Sequence, residues 1–352
     1  MENKRIRYYD LLRVLCTAFI IYYHMMVELV IEDIYPSEDI FPLFSTPNVS
    51  FATLGVAVFF MLSGAGLTLS NCNEFKLKEF YLKRFLTVLV PVYITNIFFY
   101  IFKYAFYGEN WLKVLMNWQT VYTLLGLDEY MRQNGAQLIT SGIGEWFLGV
   151  LVIIYILYPI FRYLMNRFPY LFFAVATSIY VAYIFNYTEA MPPVYMTLPS
   201  KAYEFIVGMY LAKFYIKFPK KMMLISIPVC TFFAANKWPL GLNNSLMITA
   251  CAFFFVVSVS YLEPYLNKCK CKVLSFLSGI SYYVFLTHHV VIYTFTPIMK
   301  PYISNKFGVL LLFAIELAVT FASAMIIKAL NGLIVKGVGK LKQGKKKELS
   351  AI

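Results

Sequence analysis

The sequence predicts an all-α bundle of about ten transmembrane helices with both termini in the cytoplasm. Three observations support this fold class. Of the 352 residues, 60% are hydrophobic and only 14% are charged, whereas soluble domains have about 45–50% and about 25%. Apolar segments long enough to cross a hydrocarbon core of roughly 30 Å follow one another along the chain. Lys and Arg are concentrated in every second connection between these segments.

Ten segments have the apolar character of a membrane span, although the seventh is short. Neither a soluble domain nor an internal repeat interrupts the series, so residues 1–340 are predicted to form one membrane domain and residues 341–352 a basic cytoplasmic tail. The predicted spans are 11–31, 49–69, 85–106, 146–164, 170–187, 199–216, 222–236, 243–262, 276–299 and 307–335.

The distribution of Lys and Arg sets the predicted orientation, because these residues accumulate on the cytoplasmic side of short loops. With the N-terminus inside, the inner segments carry 24 Lys and Arg. This asymmetry accounts for most of the net charge of +13, so we expect no nucleic-acid partner and interpret the basic tail as a topology signal or a contact with anionic lipids. The outer segments carry Lys113, Arg132, Lys237, Lys300 and Lys306.

Ionisable residues within spans are costly and are functional candidates by default. Arg13 and His24 are eleven residues apart on the first span, which places them on one helix face, roughly 16 Å apart along the axis. The other two histidines of the chain, His288 and His289, lie at a matching depth in the ninth span. They point about 100° apart, so only one need face the interior, and Ser281 can share the face of His288.

Each of these residues also has a structural interpretation. Arg13 can be a snorkelling anchor at the inner surface, which Asp10, three residues earlier, can orient. His24 can be a neutral imidazole hydrogen-bonded between helices. Glu316 can likewise form a bond between helices, and Glu28 can reach water.

The chemistry predicted for the histidines is general-base catalysis on a hydroxyl group, because a neutral imidazole exchanges a proton near pH 7. The sequence contains no nucleophile elbow or phosphate-binding loop in a suitable context. Its cysteines lack the spacing of a zinc site, so we expect no bound metal.

Further candidates lie at the ends of other spans. Lys83 and Arg84 mark the inner end of the third span, where they serve either to bind an anion or to set topology. The long outer segment before the fourth span predicts an amphipathic helix at the outer interface, with Trp111 and Trp118. Lys201 and Glu204 are one turn apart, and a mutual ion pair is the alternative to a binding role. The substrate-binding candidates are Glu145, Trp146, Lys201, Glu204 and Ser281.

Six motifs, in order over nearly the whole chain, resemble those of the acyltransferase family 3 membrane proteins. The first, "YYDLLRVLCTAFIIYYH", has the family's spacing of ten residues between Arg13 and His24. The others are "VFFMLSGAGL", "FYLKRFLTVLVPVY", "EWFLGVLVIIYILYP", "AYEFIVGMYLA" and "GISYYVFLTHH".

The resemblance implies a multi-pass protein of the bacterial plasma membrane that transfers an acyl group, often acetyl from acetyl-CoA, to hydroxyls of cell-surface or lipid-linked glycans. It implies that activity depends on Arg13 and His24. Acyl-CoA is then a co-substrate, with no permanently bound cofactor, and membrane lipids surround the domain. The family often has a second Arg where this chain has Thr87, and we expect no fused extracytoplasmic esterase domain.

The residue positions and the family resemblance together predict a mechanism. In it, the phosphates of acyl-CoA bind at Arg13, Lys83 and Arg84, and the acyl group lies at His24. His24 then acts as a general base or as a transient acyl carrier, with His288 as its partner. The alternative is a transporter or exporter of a surface glycan, because polar residues near the midplane of many spans also describe a secondary carrier.

Overall fold

The computed structural model confirms an all-α polytopic bundle. Within the described part of the chain, the single β contact is an isolated bridge between Ser45 and Ser50. The backbone alone is described at residues 44, 102–107, 220 and 342–349. The structure describes residues 5–71, 75–107, 117–138, 143, 146–188, 192–214, 218–235, 244–269, 271–303 and 305–349.

The helices follow one another with short connections. The helices before the fourth predicted span are α1 (Arg7–Ile31), α2 (Ser37–Phe44), α3 (Phe51–Ser70), α4 (Leu77–Arg84), α5 (Val90–Tyr107), α6 (Thr120–Leu125) and α7 (Asp128–Gln133). The remaining ones are α8 (Trp146–Arg167), α9 (Pro169–Phe185), α10 (Leu198–Lys213), α11 (Lys220–Ala235), α12 (Asn244–Ser260), α13 (Glu263–Cys269), α14 (Lys272–Met299) and α15 (Lys306–Leu349). A π-helical turn, Phe85–Leu89, joins α4 to α5.

The described residues of the ten predicted spans are largely helical, but the helices differ in length. Helices α9 and α11 are apolar but shorter, and 17 residues of α9 rise only about 26 Å. A seventh candidate span combines α12 and α13, which meet at a 50° bend. The six segments long and apolar enough to cross a membrane singly are Arg7–Ile31, Phe51–Ser70, Leu77–Ile101, Trp146–Arg167, Lys272–Tyr302 and Lys306–Leu341.

Two structural features lie at the predicted inner side of the bundle, and the assignment of that side remains a prediction. The carboxylate of Glu263, at the start of α13, accepts the backbone N–H groups of Arg7 and Tyr8 at 3.2 and 2.7 Å, which caps the first turn of α1. Helix α15 continues without a break to Leu349, so residues 341–349 of the predicted tail extend this helix.

Helices α3 and α10 pack backbone against backbone through two glycines. A Cβ atom at Gly64 would overlap the carbonyl oxygen of Phe205, and one at Gly208 would overlap that of Met61. Small residues allow this approach in a membrane, where close packing replaces the hydrophobic drive for helix association. Gly64 and Gly208 therefore set the short distance between α3 and α10.

A row of aromatic rings connects the centre of the bundle to α14. The ring of Phe60 on α3 lies 4.8 Å from that of Phe147 on α8, which in turn lies 4.9 Å from that of Phe285 on α14. The Phe285 ring is 5.5 Å from the imidazole of His288. This row fixes the position of the histidine-bearing turn of α14 relative to α3 and α8.

Candidate active site

The three histidines of the chain form one cluster between α1 and α14, in which His288 and His289 are buried and His24 is half-buried. His24 Nδ1 and His289 Nε2 share a hydrogen bond of 2.8 Å. The His288 ring lies 5.2 Å from the His24 ring, and its Nδ1–H donates to the carbonyl of Phe285 at 2.6 Å. The histidines of the first and ninth predicted spans therefore lie at matching depth, as predicted. The hydrogen-bond partner of His24 is His289 rather than His288.

Neighbouring rings orient this pair. Tyr293, one turn after His289, stacks on it with ring centroids 4.9 Å apart, and Tyr23 stands edge-on to His24 at 5.1 Å. Because these aromatic contacts restrict rotation, the two imidazoles keep their hydrogen-bonded geometry.

The histidine cluster also meets a loose criterion for a metal site, because its ligand atoms lie within 4.8 Å of one another. A tetrahedral zinc ion with nitrogen ligands at 2.0–2.1 Å would separate two of them by about 3.3 Å. The 2.8 Å between His24 and His289 is a hydrogen-bond distance instead. The cluster therefore consists of a hydrogen-bonded His24–His289 pair with the His288 ring beside it.

Arg13 lies on the same face of α1 as His24 and is held by Asp10. The buried carboxylate of Asp10 accepts a hydrogen bond from Arg5 Nε at 2.6 Å and one from Ser278 Oγ on α14 at 2.8 Å. Arg13 Nη1 lies 3.6 Å from the same carboxylate. The expectation that Asp10 orients Arg13 is supported by this ion pair, and Ser278 ties the group to the histidine-bearing helix.

A cavity of about 450 Å³ opens beside Arg13, between α1, α3, α8, α14 and the α4–α5 junction. The cavity includes all three cations expected to bind an anion, together with the hydroxyl of Ser281 and with Thr87 at the position of the family's second Arg. The lining residues used below are Arg13, Ser63, Lys83, Arg84, Tyr155 and Ser281.

The wall of this basic cavity is built around the π-helical turn that follows Arg84. Such turns are frequent at functional sites, because they free a carbonyl from the helical ladder. Here the hydroxyl of Tyr282 on α14 donates to the carbonyl of Val88 at 3.0 Å. Ser63 on α3 and Tyr155 on α8 also line the cavity. Ser63 Oγ and the Tyr155 hydroxyl are 2.8 Å apart, which joins two of the sequence motifs.

One part of the basic cavity wall lies close to the histidine cluster along α14. Phe147 and Phe285 line the cavity, and the carbonyl of Phe285 is the acceptor for His288 Nδ1–H. One helical turn therefore separates this part of the wall from the imidazoles. None of the three histidines lines the cavity itself.

Lys201 and Glu204 form a separate cluster that closes on itself. Both side chains are fully buried, and Lys201 Nζ lies 2.9 Å from both carboxylate oxygens of Glu204. Thr249 donates to the same carboxylate at 3.2 Å. Neither charged residue lines the basic cavity, so the structure shows the mutual ion pair that was the alternative to a binding role.

The other candidates on the predicted outer side have different outcomes. Trp146 begins α8 and packs against the central core. Trp118 is 72% exposed and precedes two short helices, α6 and α7; the part of the predicted amphipathic helix before residue 117 lies outside the described residues. Glu145 and Trp111 lie outside the described residues. Glu316 accepts a hydrogen bond from Thr296 at 2.7 Å, as predicted, but Glu28 is only 4% exposed and does not reach bulk water.

The sequence analysis did not identify Ser278 on α14. Its Oγ donates to the buried carboxylate of Asp10 at 2.8 Å, although 268 residues separate the two in the chain. A single serine in an apolar helix gives no sequence signal for such a partner.

Comparison with known proteins identifies the family. No curated protein and no solved structure gave a match. A family model described as an acyltransferase domain, that of acyltransferase family 3, matches residues 6–329, nearly the whole chain. The chain therefore belongs to acyltransferase family 3, and it is a membrane acyltransferase with several apolar helices.

Proposed function

We propose that the protein is an O-acyltransferase that moves an acyl group, with acetyl as the simplest case, from acyl-CoA in the cytoplasm to a hydroxyl of a cell-surface or lipid-linked glycan. The proposed location is the bacterial plasma membrane. The observation that carries the proposal is a basic cavity whose wall includes Phe285, one helical turn before the histidine that is hydrogen-bonded to His24.

The basic cavity suits the nucleotide end of acyl-CoA. Arg13, Lys83 and Arg84 line it, and guanidinium groups bind phosphate oxygens through two parallel hydrogen bonds. Asp10 holds Arg13 from the side. With the phosphates at these cations, the extended pantetheine arm would lead the thioester past Phe285 to the imidazoles.

His24 is the proposed general base. It takes the proton of the acceptor hydroxyl while the oxygen attacks the thioester carbonyl. The tetrahedral intermediate then collapses, the carbon–sulfur bond breaks, and the thiolate of CoA receives the proton from His24. The products are the acyl ester and free CoA, with no net change in protons. His289 shares the positive charge that His24 carries between these two steps.

A second route through the same residues uses His24 as an acyl carrier. The neutral imidazole attacks the thioester, the carbon–sulfur bond breaks, and the N–H proton of the acylated ring passes to the sulfur, so that CoA leaves as the thiol. The acceptor hydroxyl then displaces the imidazole from the acyl group and gives its proton to the ring. His288, with its ring fixed by the bond to Phe285, is the proposed partner that positions the thioester. On the predicted outer side, the exposed ring of Trp118 is suited to stack on a sugar.

The proposal is tested with purified protein in liposomes, acetyl-CoA labelled in the acetyl group, and envelope glycan from the source cells as acceptor. We expect release of CoA thiol together with label in the glycan, and loss of both with His24→Ala. Glycan movement across the liposome membrane without CoA release would instead identify the carrier considered above.

The size-exclusion profile of His24→Ala provides the control for folding. A folded His24→Ala protein that acetylates the glycan at the normal rate would contradict the proposed role of this residue.

A further inference from the structure

We propose that Tyr293 is an acceptor-binding residue: its ring forms the outer wall of the His24–His289 pair, and the acceptor glycan packs against it while one sugar hydroxyl reaches His24. The inference rests on the proposed function for its chemistry, and it deepens that function by naming the side from which the acceptor enters. Its structural basis is a ring that is 49% exposed and stacks directly on a buried histidine.

Tyr293 covers His289 from the predicted outer side. The two rings are nearly parallel, at 16°, with centroids 4.9 Å apart, and His289 is only 6% exposed. Tyr293 follows His289 by four residues on α14, which places it about 6 Å nearer to the outer end of that helix. The Tyr293 ring therefore lies between His289 and the predicted outer surface.

The exposure of Tyr293 differs from that of the rest of this part of α14. Every other residue between Ile280 and Thr296 is buried or half-buried, and the chain neighbours of Tyr293, Ile292 and Thr294, are both buried. An exposed face of a helix would repeat every three or four residues. The Tyr293 ring therefore projects into a local opening.

Helical spacing places this opening on the histidine side of α14. Leu286 and His289 precede Tyr293 by seven and four residues and so share its face. Leu286 is buried in the central core, and His289 is hydrogen-bonded to His24 on α1 at 2.8 Å. A different face of α14, which includes Thr287, lines an apolar cavity toward α5 and α15, and Tyr293 is not part of that lining.

The side chains around the His24–His289 pair suit an uncharged hydroxyl compound. His24 is half-buried and therefore more accessible than His289. The ring of Tyr23, also half-buried, stands edge-on to His24 at 5.1 Å. Two phenol rings next to two imidazoles carry no permanent charge, and each phenol combines an apolar face with a polar hydroxyl. A sugar, with C–H groups on one face and hydroxyls at its edge, matches these surfaces.

The Tyr293 ring also restricts the access of water to the site. An acyl group at His24 can pass to water as well as to a sugar, and the products of that side reaction are acetate and free CoA. A closed site prevents such hydrolysis. With the glycan packed on Tyr293, the sugar hydroxyl takes the place that water would otherwise occupy beside His24.

The kinetic test compares Tyr293→Ala with Tyr293→Phe and with the matched control Tyr302→Ala, at a 74% exposed tyrosine just after α14. For Tyr293→Ala we expect KM for the envelope glycan to rise about 10-fold, as for the loss of one aromatic contact. We also expect faster CoA release from acetyl-CoA without glycan. KM for acetyl-CoA stays unchanged, because Tyr293 does not line the basic cavity.

Tyr293→Phe keeps the ring, so it should stay within a few-fold of the wild type in both quantities, as should Tyr302→Ala. If Tyr293→Ala does not fold, Tyr293→Leu replaces it with the same expected results, because leucine fills space without providing a flat ring. A wild-type value of either quantity in the folded ring-deleted variant, or equal losses in it and in Tyr293→Phe, would overturn the inference.

A second measurement does not depend on acyl transfer. All three histidines of the chain lie in this cluster, so the absorbance of histidine adducts with diethyl pyrocarbonate reports on these residues alone if the purification tag lacks histidine. We expect the adducts to form several-fold faster in Tyr293→Ala than in the wild type, Tyr293→Phe and Tyr302→Ala, because the ring no longer covers His289. Equal rates would overturn the inference. A wild-type protein that transfers no acetyl would refute the proposed function, while the adduct rates would still decide whether Tyr293 covers the pair.

Discussion

Two groups of buried polar residues in this bundle differ in what surrounds them. The Lys201–Glu204 pair is fully buried and satisfies its own charges, with Thr249 as an additional donor. The His24–His289 pair is largely buried too, and no histidine lines the basic cavity, but Phe285, one turn before His289 on α14, does. Burial of a polar residue in a membrane therefore does not by itself indicate a reactive site, and proximity to the basic cavity distinguishes the two groups.

The largest effect, on the unfolding free energy, is expected from removing one member of the Lys201–Glu204 ion pair. Lys201→Met leaves the Glu204 carboxylate buried without its cation, and we expect a loss of about 3–5 kcal/mol in unfolding free energy. Unfolding in mixed detergent measures this loss. Lys268→Met removes an exposed lysine and provides the control, with an expected change within about 0.5 kcal/mol.

The double variant Lys201→Met, Glu204→Gln sharpens this result. It removes both charges, so it should recover most of the lost stability and retain activity per folded molecule. A double variant as unstable as Lys201→Met would contradict the ion-pair explanation. A stable double variant without activity would mean that Lys201 and Glu204 belong to the active site.

A smaller effect is expected from Asp10, which holds Arg13 beside the basic cavity. Asp10→Asn removes the negative charge that holds Arg13, and we expect KM for acetyl-CoA to rise about 10-fold, with kcat nearly constant, since a hydrogen bond to a charged group contributes about 1.5–3 kcal/mol. Steady-state release of CoA measures both parameters. Asp39→Asn, at an exposed carboxylate, is the control, and an unchanged KM in Asp10→Asn would contradict the role of Asp10.

The smallest effect, on KM for acetyl-CoA, is expected from removing the hydrogen bond between Ser63 and Tyr155. Ser63→Ala and Tyr155→Phe each remove the 2.8 Å hydrogen bond between these side chains, which contributes about 0.5–1.5 kcal/mol net. We expect KM for acetyl-CoA to rise only a few-fold in either variant. The double variant should be no worse than either single one, and fully additive effects would show that the two hydroxyls act independently.

Much of this comparison was accessible from the sequence. Helical periodicity placed Arg13 and His24 on one face, and counting residues from the span ends placed His24 level with the histidines of α14. These predictions succeed because α1 and α14 are long, regular helices whose rise per residue is fixed.

Other features were not accessible in this way. The choice between His288 and His289 depends on the rotation of α14, which its packing on α1 determines. The Lys201–Glu204 spacing predicts an ion pair equally well inside or outside a site, and only the surrounding helices show that it is closed. Helix α7 packs on α8 because Gly149 leaves room for Tyr130, a tertiary contact without a local sequence signal.

The most direct test of the central claim is the dependence of CoA release on acetyl-CoA concentration in His24→Gln. If the basic cavity binds the donor and the histidine pair performs the transfer, kcat falls by about 10²–10⁴ while acetyl-CoA binds with wild-type affinity. Wild-type kcat in folded His24→Gln, or loss of acetyl-CoA binding with kcat preserved, would contradict the account.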